Sequence, residues 1–376
     1  MAIRRIKMKN YIESILFGIC EKLQLTPSLY ELATQRYETI VKILRKDDVF
    51  KQIELNVYPH GSFKLKTTVK PLAGEEFDLD FVAELPINSG MTPKDLYNHI
   101  VRILNNDGIH SGKIEPKTRC VRVNYANDFH MDIMPGKLID IKTQEIIVPD
   151  HDLKAWYHHS NPKGFATWFE NQARTRLLFE MTDLRHNQFD IEGVSEQEIT
   201  AQLEPLRRAV QLVKRYRDVY CERNHKEPVR SIVICALMGN ITSFTGNTIQ
   251  IISSFCAHVN GLIQKNNGQP FDVMNPVVDE VLTEKWHEGN NYQDFVDMIK
   301  ALTSDIFALQ QCSNNSEANQ LTKRMFGEEI TNASILRHTK ILNEARQAGK
   351  LSVDKSGTLN TRNSGTPVKK NTFYGI

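Results

Sequence analysis

A chain of 376 residues, 40% hydrophobic and 24% charged, is long enough for two lobes and apolar enough for a sizeable core. Its 47 Lys and Arg against 45 Asp and Glu leave a net charge of +2, too mild to mark an obligatory partner for long nucleic acid. No apolar run reaches the roughly 18 residues that cross a bilayer, and the six scattered cysteines show no zinc spacing, so reduced thiols in a cytoplasmic protein are expected.

The N-terminal stretch MAIRRIKMKNYIESILFGIC sets basic residues before an apolar run. Glu13 interrupts that run and no small-residue cleavage site follows, which argues against a secretory signal. Residues 10–24 and 27–49 are predicted helices; the second opens with Thr26 as N-cap and Pro27 at its first position. Leu29, Leu32, Tyr37, Ile40, Val41 and Leu44 then recur at helical spacing. Short β-rich runs follow at Phe77 to Ala83, Arg119 to Tyr125 and Phe129 to Met134. A helix over Thr92 to Asn105 lies between the first two, and Ala126-Asn127-Asp128 suits a hairpin loop between the last two.

From about residue 162 the pattern is helical, with candidates at 163–181, 195–221, 228–242, 247–265, 275–284, 291–312 and 316–347. The 27 residues from Lys350 carry five Lys and Arg against one Asp, with little periodicity, and are expected to be disordered. The chain therefore divides into a mixed α/β part with a bracing N-terminal helix (1–160), a helical lobe (161–348) and a tail (349–376). The fold class is α+β.

In the run Phe77-Asp78-Leu79-Asp80-Phe81-Val82, strand alternation buries Phe77, Leu79 and Phe81 on one face. Asp78 and Asp80 then share the other face, with Cα atoms about 6.6 Å apart. Two carboxylates so close repel unless a cation joins them. Asp132, in Phe129-His130-Met131-Asp132-Ile133-Met134, completes a three-carboxylate set if its strand lies beside the first. Hard oxygen ligands of this kind suit two Mg²⁺ ions, or Mn²⁺, and the in-line displacement at phosphorus that such a pair promotes. Upstream, Gly61 lets the backbone approach a triphosphate and Ser62 offers hydroxyl and N–H donors, although no Walker loop is present. Each signal alone describes an ordinary turn or a solvated strand face; their order along the chain carries the reading.

The stretches HGSFKLKTTVKP, FDLDFV, FHMDIMPG, SNPKGFATWFENQ, LRRAVQLVKRYRD, PVRSIVICAL and NPVVDEVLTEKW resemble the polymerase-β-like nucleotidyltransferases, and more narrowly the bacterial CD-NTases, over about residues 28 to 300. The resemblance implies a nucleotidyltransferase core of mixed sheet with flanking helices and a long N-terminal helix, followed by a helical lobe. It assigns Asp78, Asp80 and Asp132 to catalysis and metal, Gly61 and Ser62 to the triphosphate turn, and Lys214 and Ser231 to nucleotide phosphate. Ile232 stands where some relatives carry a base-stacking aromatic. On the helix around Lys214, the stripe Leu206, Ala209, Val210 and Val213 is apolar, and Arg207, Arg208, Arg215 and Arg217 surround it.

The implied activity joins NTPs, ATP among them, into a cyclic di- or trinucleotide messenger for antiphage signalling, with release of pyrophosphate. A monomer is expected, with companion regulatory proteins as partners and no membrane. The alternative is an RNA- or tRNA-tailing or linear oligonucleotide-synthesising enzyme using the same acids. Trp156, Phe165, Trp168 and Phe169 read as packing between lobes, Ser160 as a cap, His158 and His159 as surface, and His60 and His130 as neighbours of the turn and of Asp132.

Overall fold

The computed structural model describes residues 2–72, 77–125, 129–150, 157–187, 203–241, 247–353, 359–361 and 365–368. The expected loop at 126–128, Trp156 and the start of the helix expected at 195 lie outside them.

Two long helices open the chain, α1 (Ala2–Leu23) and α2 (Pro27–Lys46). The side chain of Thr26 accepts from the N–H of Leu29, as the Thr-Pro signal requires. The sheet strands are β1 (Asn56–Pro59), β2 (Phe77–Leu85), β3 (Ile114–Pro116), β4 (Val121–Tyr125), β5 (Phe129–Asp140), β6 (Glu145–Pro149) and β7 (Tyr157–Ser160). They order as β1-β2-β5-β4-β3, with β6 joining the outer half of β5 and β7 joining β6.

Within this sheet β2 and β5 are parallel, paired from Phe77↔Phe129 to Leu85↔Lys137. A parallel pair needs a crossover connection. Here it contains α4 (Pro93–Asn106), whose start is fixed by a reciprocal Thr92–Asp95 capping box. The helix lays Leu96, Tyr97, Ile100 and Leu104 on Leu79, Phe81, Val121, Val123, Met131 and Ile133. One sheet face is thus consumed by core, and alternation puts the acids on the other.

A second core belongs to the helical lobe, made of α5 (Pro162–Asn187), α6 (Pro205–Asn224), α7 (Ser231–Gly239), α8 (Thr248–Lys265), α9 (Asn291–Gln311), α10 (Asn315–Phe326) and α11 (Glu328–Gln347). The N-terminal helix α1, grouped by sequence with the first lobe, buries Ile12, Ile15, Leu16 and Ile19 in this second core. Phe165 and Phe169 are buried there and Trp168 packs against them, as packing residues.

Four local expectations change. No helix forms over 275–284. Met274 instead bridges Val281, the Asn275 side chain donates to Glu280, and Asn275 precedes a proline that disfavours helical geometry. The single long helix expected at 316–347 is two, broken at Gly327, whose φ of 99° a helix does not contain. Ser160 is paired in β7, and it is Asn161 Oδ1 that receives the N–H of Gly164. Residues placed in a disordered tail form short strands at Ser352–Val353, Leu359–Asn360 and Thr366–Pro367, with Leu351 and Ser352 buried. Among the described residues, no helix is long and apolar enough to cross a membrane.

Candidate active site

The three acids meet on the open face of the sheet. Asp80 stands level with Asp132 across the parallel β2–β5 pair, and Asp78 stands level with His130. The Asp78 side chain is 59% exposed and that of Asp132 15%, so the set runs from the rim of the cleft inward.

Its electrostatics are strained. Burial raises the Asp80 carboxyl, and the charges of Asp132 and Asp78 add to it, to about 7, while Lys214 and Arg122 oppose the shift. Asp78 is raised too, first by burial. His60 is pushed the other way, to about 4, because desolvation disfavours its cationic form more than nearby Asp132 favours it.

A cation already stands among the acids. Arg122 on β4 lies level with Asp132 in the antiparallel β4–β5 pair. Its guanidinium takes Asp132 bidentately, Nε to Oδ1 at 2.7 Å and Nη2 to Oδ2 at 2.8 Å, and Nη2 also reaches Asp78 Oδ1 at 3.2 Å. Among the described residues no group of three His, Cys, Asp or Glu has metal-binding geometry. The donor chemistry nevertheless fits a hard divalent cation. Three carboxylates converge with more negative charge than one guanidinium neutralises, and burial together with that excess raises the Asp80 carboxyl.

The Gly-Ser turn closes directly over the acids. Gly61 opens a four-residue helix, α3 (Gly61–Lys64), with φ of 59°. A Cβ at Gly61 would lie 2.1 Å from Asp80 Oδ2, so a side chain has no room there. The N–H of His60 donates to the Asp80 carbonyl at 2.8 Å, which ties the turn to β2. Ser62 Oγ lies 3.4 Å from Thr68 Oγ1.

From the helical lobe, Lys214 on α6 is buried, and its Nζ donates to the Thr67 carbonyl at 3.0 Å and to Thr67 Oγ1 at 3.3 Å. Burial lowers its pKa. Ser231 is the first residue of α7, and its hydroxyl accepts from Arg217 on α6 at 3.0 Å. The turn, the three acids and Lys214 therefore form one constellation, to which Ser231 is linked through α6. His158, expected at the surface, is mostly covered and pairs with Glu280 at 3.0 Å, whereas His159 is exposed.

Two site residues escaped the sequence reading. Arg122 was legible in principle, because counting back from a loop at 126–128 sets it opposite Asp132. Cys120 also borders the acids; burial, then the nearby carboxylates, raise its thiol above the usual range. No local signal distinguishes it.

Comparisons with known proteins identify the family. Residues 12–173 match the SMODS family, the Second Messenger Oligonucleotide or Dinucleotide Synthetase domain. A c-di-GMP synthase of Roseivirga ehrenbergii is 33% identical over 380 residues, covering 98% of each chain. The cyclic dinucleotide synthase CdnG of Bradyrhizobium diazoefficiens is 26% identical over 60% of this chain and 57% of its own. The solved structure of that CdnG in complex with GTP superposes with a TM-score of 0.70 at 20% identity, covering 87% of this chain and 99% of the other. The cyclic AMP-GMP synthase DncV of Vibrio cholerae, solved with a linear intermediate, gives a TM-score of 0.56 at 16% identity over 89% of both chains. Similarity to a c-di-GMP synthase at 33% identity over 98% of the chain, on a sheet that gathers these three acids under a Gly-Ser turn, means that the chain belongs to the bacterial CD-NTases, nucleotidyltransferases that make cyclic oligonucleotide second messengers.

Proposed function

We propose that this enzyme converts two GTP into cyclic di-GMP and two pyrophosphates. The choice of product is supported by the full-length relative, a c-di-GMP synthase at 33% identity. The observation that carries the chemistry is the level pairing of Asp80 with Asp132, with Gly61 seated on the Asp80 carboxylate.

In this reading Asp78, Asp80 and Asp132 would hold two divalent ions, Mg²⁺ or Mn²⁺, in place of their contacts with Arg122. Such ions neutralise the triphosphate and lower the pKa of a ribose hydroxyl. Gly61 and Ser62 receive phosphate oxygens through backbone N–H and hydroxyl, Lys214 supplies the charge of its ammonium, and Ser231 offers its hydroxyl to the nucleotide phosphate from α7. Asp132 takes the proton of the attacking hydroxyl. That oxygen bonds to the α-phosphorus of the first GTP, the bond from the α-phosphorus to the bridging oxygen breaks, and pyrophosphate carries the electron pair away. A second round within the same pocket closes the ring. Positioning and charge compensation do most of the work, since the substrate supplies its own leaving group. The cyclic product serves antiphage signalling in the cytoplasm, in keeping with membership of the family.

The test is to incubate the purified protein with Mg²⁺ and each nucleoside triphosphate singly and in mixture, with mass spectrometry of the products. GTP alone should yield a nuclease P1-resistant cyclic dinucleotide, and Asp78→Asn/Asp80→Asn should yield none. A mixed-base ring would correct the nucleotide choice. Label transferred to added RNA would replace the reading with a tailing enzyme.

A further inference from the structure

The six residues after the turn helix, Leu65 to Lys70, belong to no helix or strand, so their carbonyls depend on donors from elsewhere. One helix face supplies them. Arg207 Nη1 donates to the Leu65 carbonyl, Lys214 Nζ to that of Thr67, Gln211 Nε2 to that of Thr68 at 3.0 Å, and Arg215 Nη1 to that of Lys70 at 3.4 Å. Gln211 lies one turn beyond Arg207 on α6, and the adjacent Lys214 and Arg215 lie one turn beyond Gln211. All four are at most 7% exposed.

Burying three cationic side chains and an amide beside one another is unfavourable unless each has partners. Here each places a donor on the backbone of a single loop, and Arg207 and Arg215 also meet Glu204 at 2.6 Å and the Phe326 carbonyl at 2.9 Å. Gln211 makes the selection plain: its Nε2 meets the Thr68 carbonyl, while its buried Oε1 has no hydrogen-bond partner among the described residues. The side chain is held in place by its donor end.

The same loop governs the turn. The N–H of Leu65 donates to the Gly61 carbonyl at 3.1 Å, and the N–H of Thr67 to the Ser62 carbonyl at 2.9 Å. The carbonyl of each of these two residues is gripped by α6, and its N–H grips the turn, so the pose of Gly61 and Ser62 is set from the helical lobe. We propose that Gln211, together with Arg207, is a positioning residue for the nucleotide triphosphate. Gln211 touches no phosphate and acts through Thr68, whose Oγ1 lies 3.4 Å from Ser62 Oγ, while Arg207 acts through the Leu65 carbonyl on Gly61. The proposal rests on the reading of that turn as the triphosphate site.

The test compares Gln211→Met, which keeps the volume and removes the donor, with Gln211→Glu, which keeps the shape and sets a carboxylate against the Thr68 carbonyl. Steady-state kinetics with GTP, equilibrium binding of a non-hydrolysable GTP analogue in EDTA, Mn²⁺ binding without nucleotide, and Tm are measured for each. Loss of one positioning hydrogen bond should raise KM and the analogue Kd about tenfold in Gln211→Met, more in Gln211→Glu, with a much smaller change in kcat. Mn²⁺ affinity should hold, because the acids are untouched. An unchanged KM and Kd in both variants overturns the proposal. So do losses of kcat, Mn²⁺ affinity and Tm that run in step, since they mark general destabilisation. Ser62→Ala separates the two claims. If it weakens analogue binding while the Gln211 variants do not, the positioning role falls and the triphosphate turn stands. If Ser62→Ala changes nothing, the turn assignment falls and the positioning role with it.

Discussion

Asp80 carries the clearest energetic signature of any residue in the site. Its carboxyl is raised from an ordinary value of 3.8 to about 7, first by burial and then by the charges of Asp132 and Asp78. A folded-state pKa above the unfolded one means that the native protein binds more protons between those two values, so metal-free stability falls as pH rises through that window. The variant Asp80→Asn lacks the titration. In urea unfolding with EDTA, its stability relative to wild type should therefore grow from pH 5 to pH 8 by on the order of 1–3 kcal/mol. A pH-independent difference would contradict the assignment.

Arg122 faces the same imbalance from the other side. Arg122→Met leaves Asp132 and Asp78 without their guanidinium, so Tm in EDTA should drop by several degrees and saturating Mg²⁺ should recover most of the loss. Gly61→Ala combines a left-handed φ with an overlap on Asp80. It should cost about 1–3 kcal/mol of stability and abolish cyclic product, read by chemical denaturation and product assay.

Among elements, strand β2 divides its labour by parity. Its odd positions, Phe77, Leu79 and Phe81, are buried under α4, and its even positions carry the acids. Leu79→Ala should therefore destabilise by about 2–4 kcal/mol through a core cavity. Asp78→Asn, on the exposed rim of the same strand, should leave Tm near wild type while eliminating product. A reversal of these two outcomes would mean that the strand registers one residue away from the observed pairing. This alternation was readable from FDLDFV, as was the Thr-Pro start of α2 and of α4, because each depends on immediate neighbours in the chain. The false helix at 275–284 and the missed break at Gly327 show the converse. There, apolar spacing alone could not register a proline after Asn275 or a left-handed glycine inside an otherwise helical pattern.

Across the whole molecule, the two lobes are joined by buried polar contacts as well as by packing. Besides the α6 face on residues 65–70, Lys163 at the start of α5 donates to both oxygens of Glu84 at 2.8 and 3.1 Å, and Tyr58 donates to Glu84 at 2.7 Å. Glu84 lies on β2 four residues beyond Asp80 and is 5% exposed. Removing its cation strands a buried charge, so Lys163→Met should cost about 2–4 kcal/mol in denaturant unfolding, whereas Lys163→Met/Glu84→Gln should recover part of that loss.

The amino-acid order by itself determined the strand that carries two acids, the small-residue turn before them, the third acid, and the passage from mixed structure to helices near residue 162. These are consequences of side-chain alternation, capping and backbone sterics acting within a few residues. Only the tertiary structure decided that β2 and β5 lie parallel with Asp80 level with Asp132, that Arg122 sits among the acids, and that Lys214, 147 residues from Thr67, meets that residue's carbonyl. It also decided that residues after Lys350 form a small sheet. Such pairings are chosen by the burial of whole faces and by the need of distant backbone carbonyls for donors, conditions that exist only once the lobes have come together.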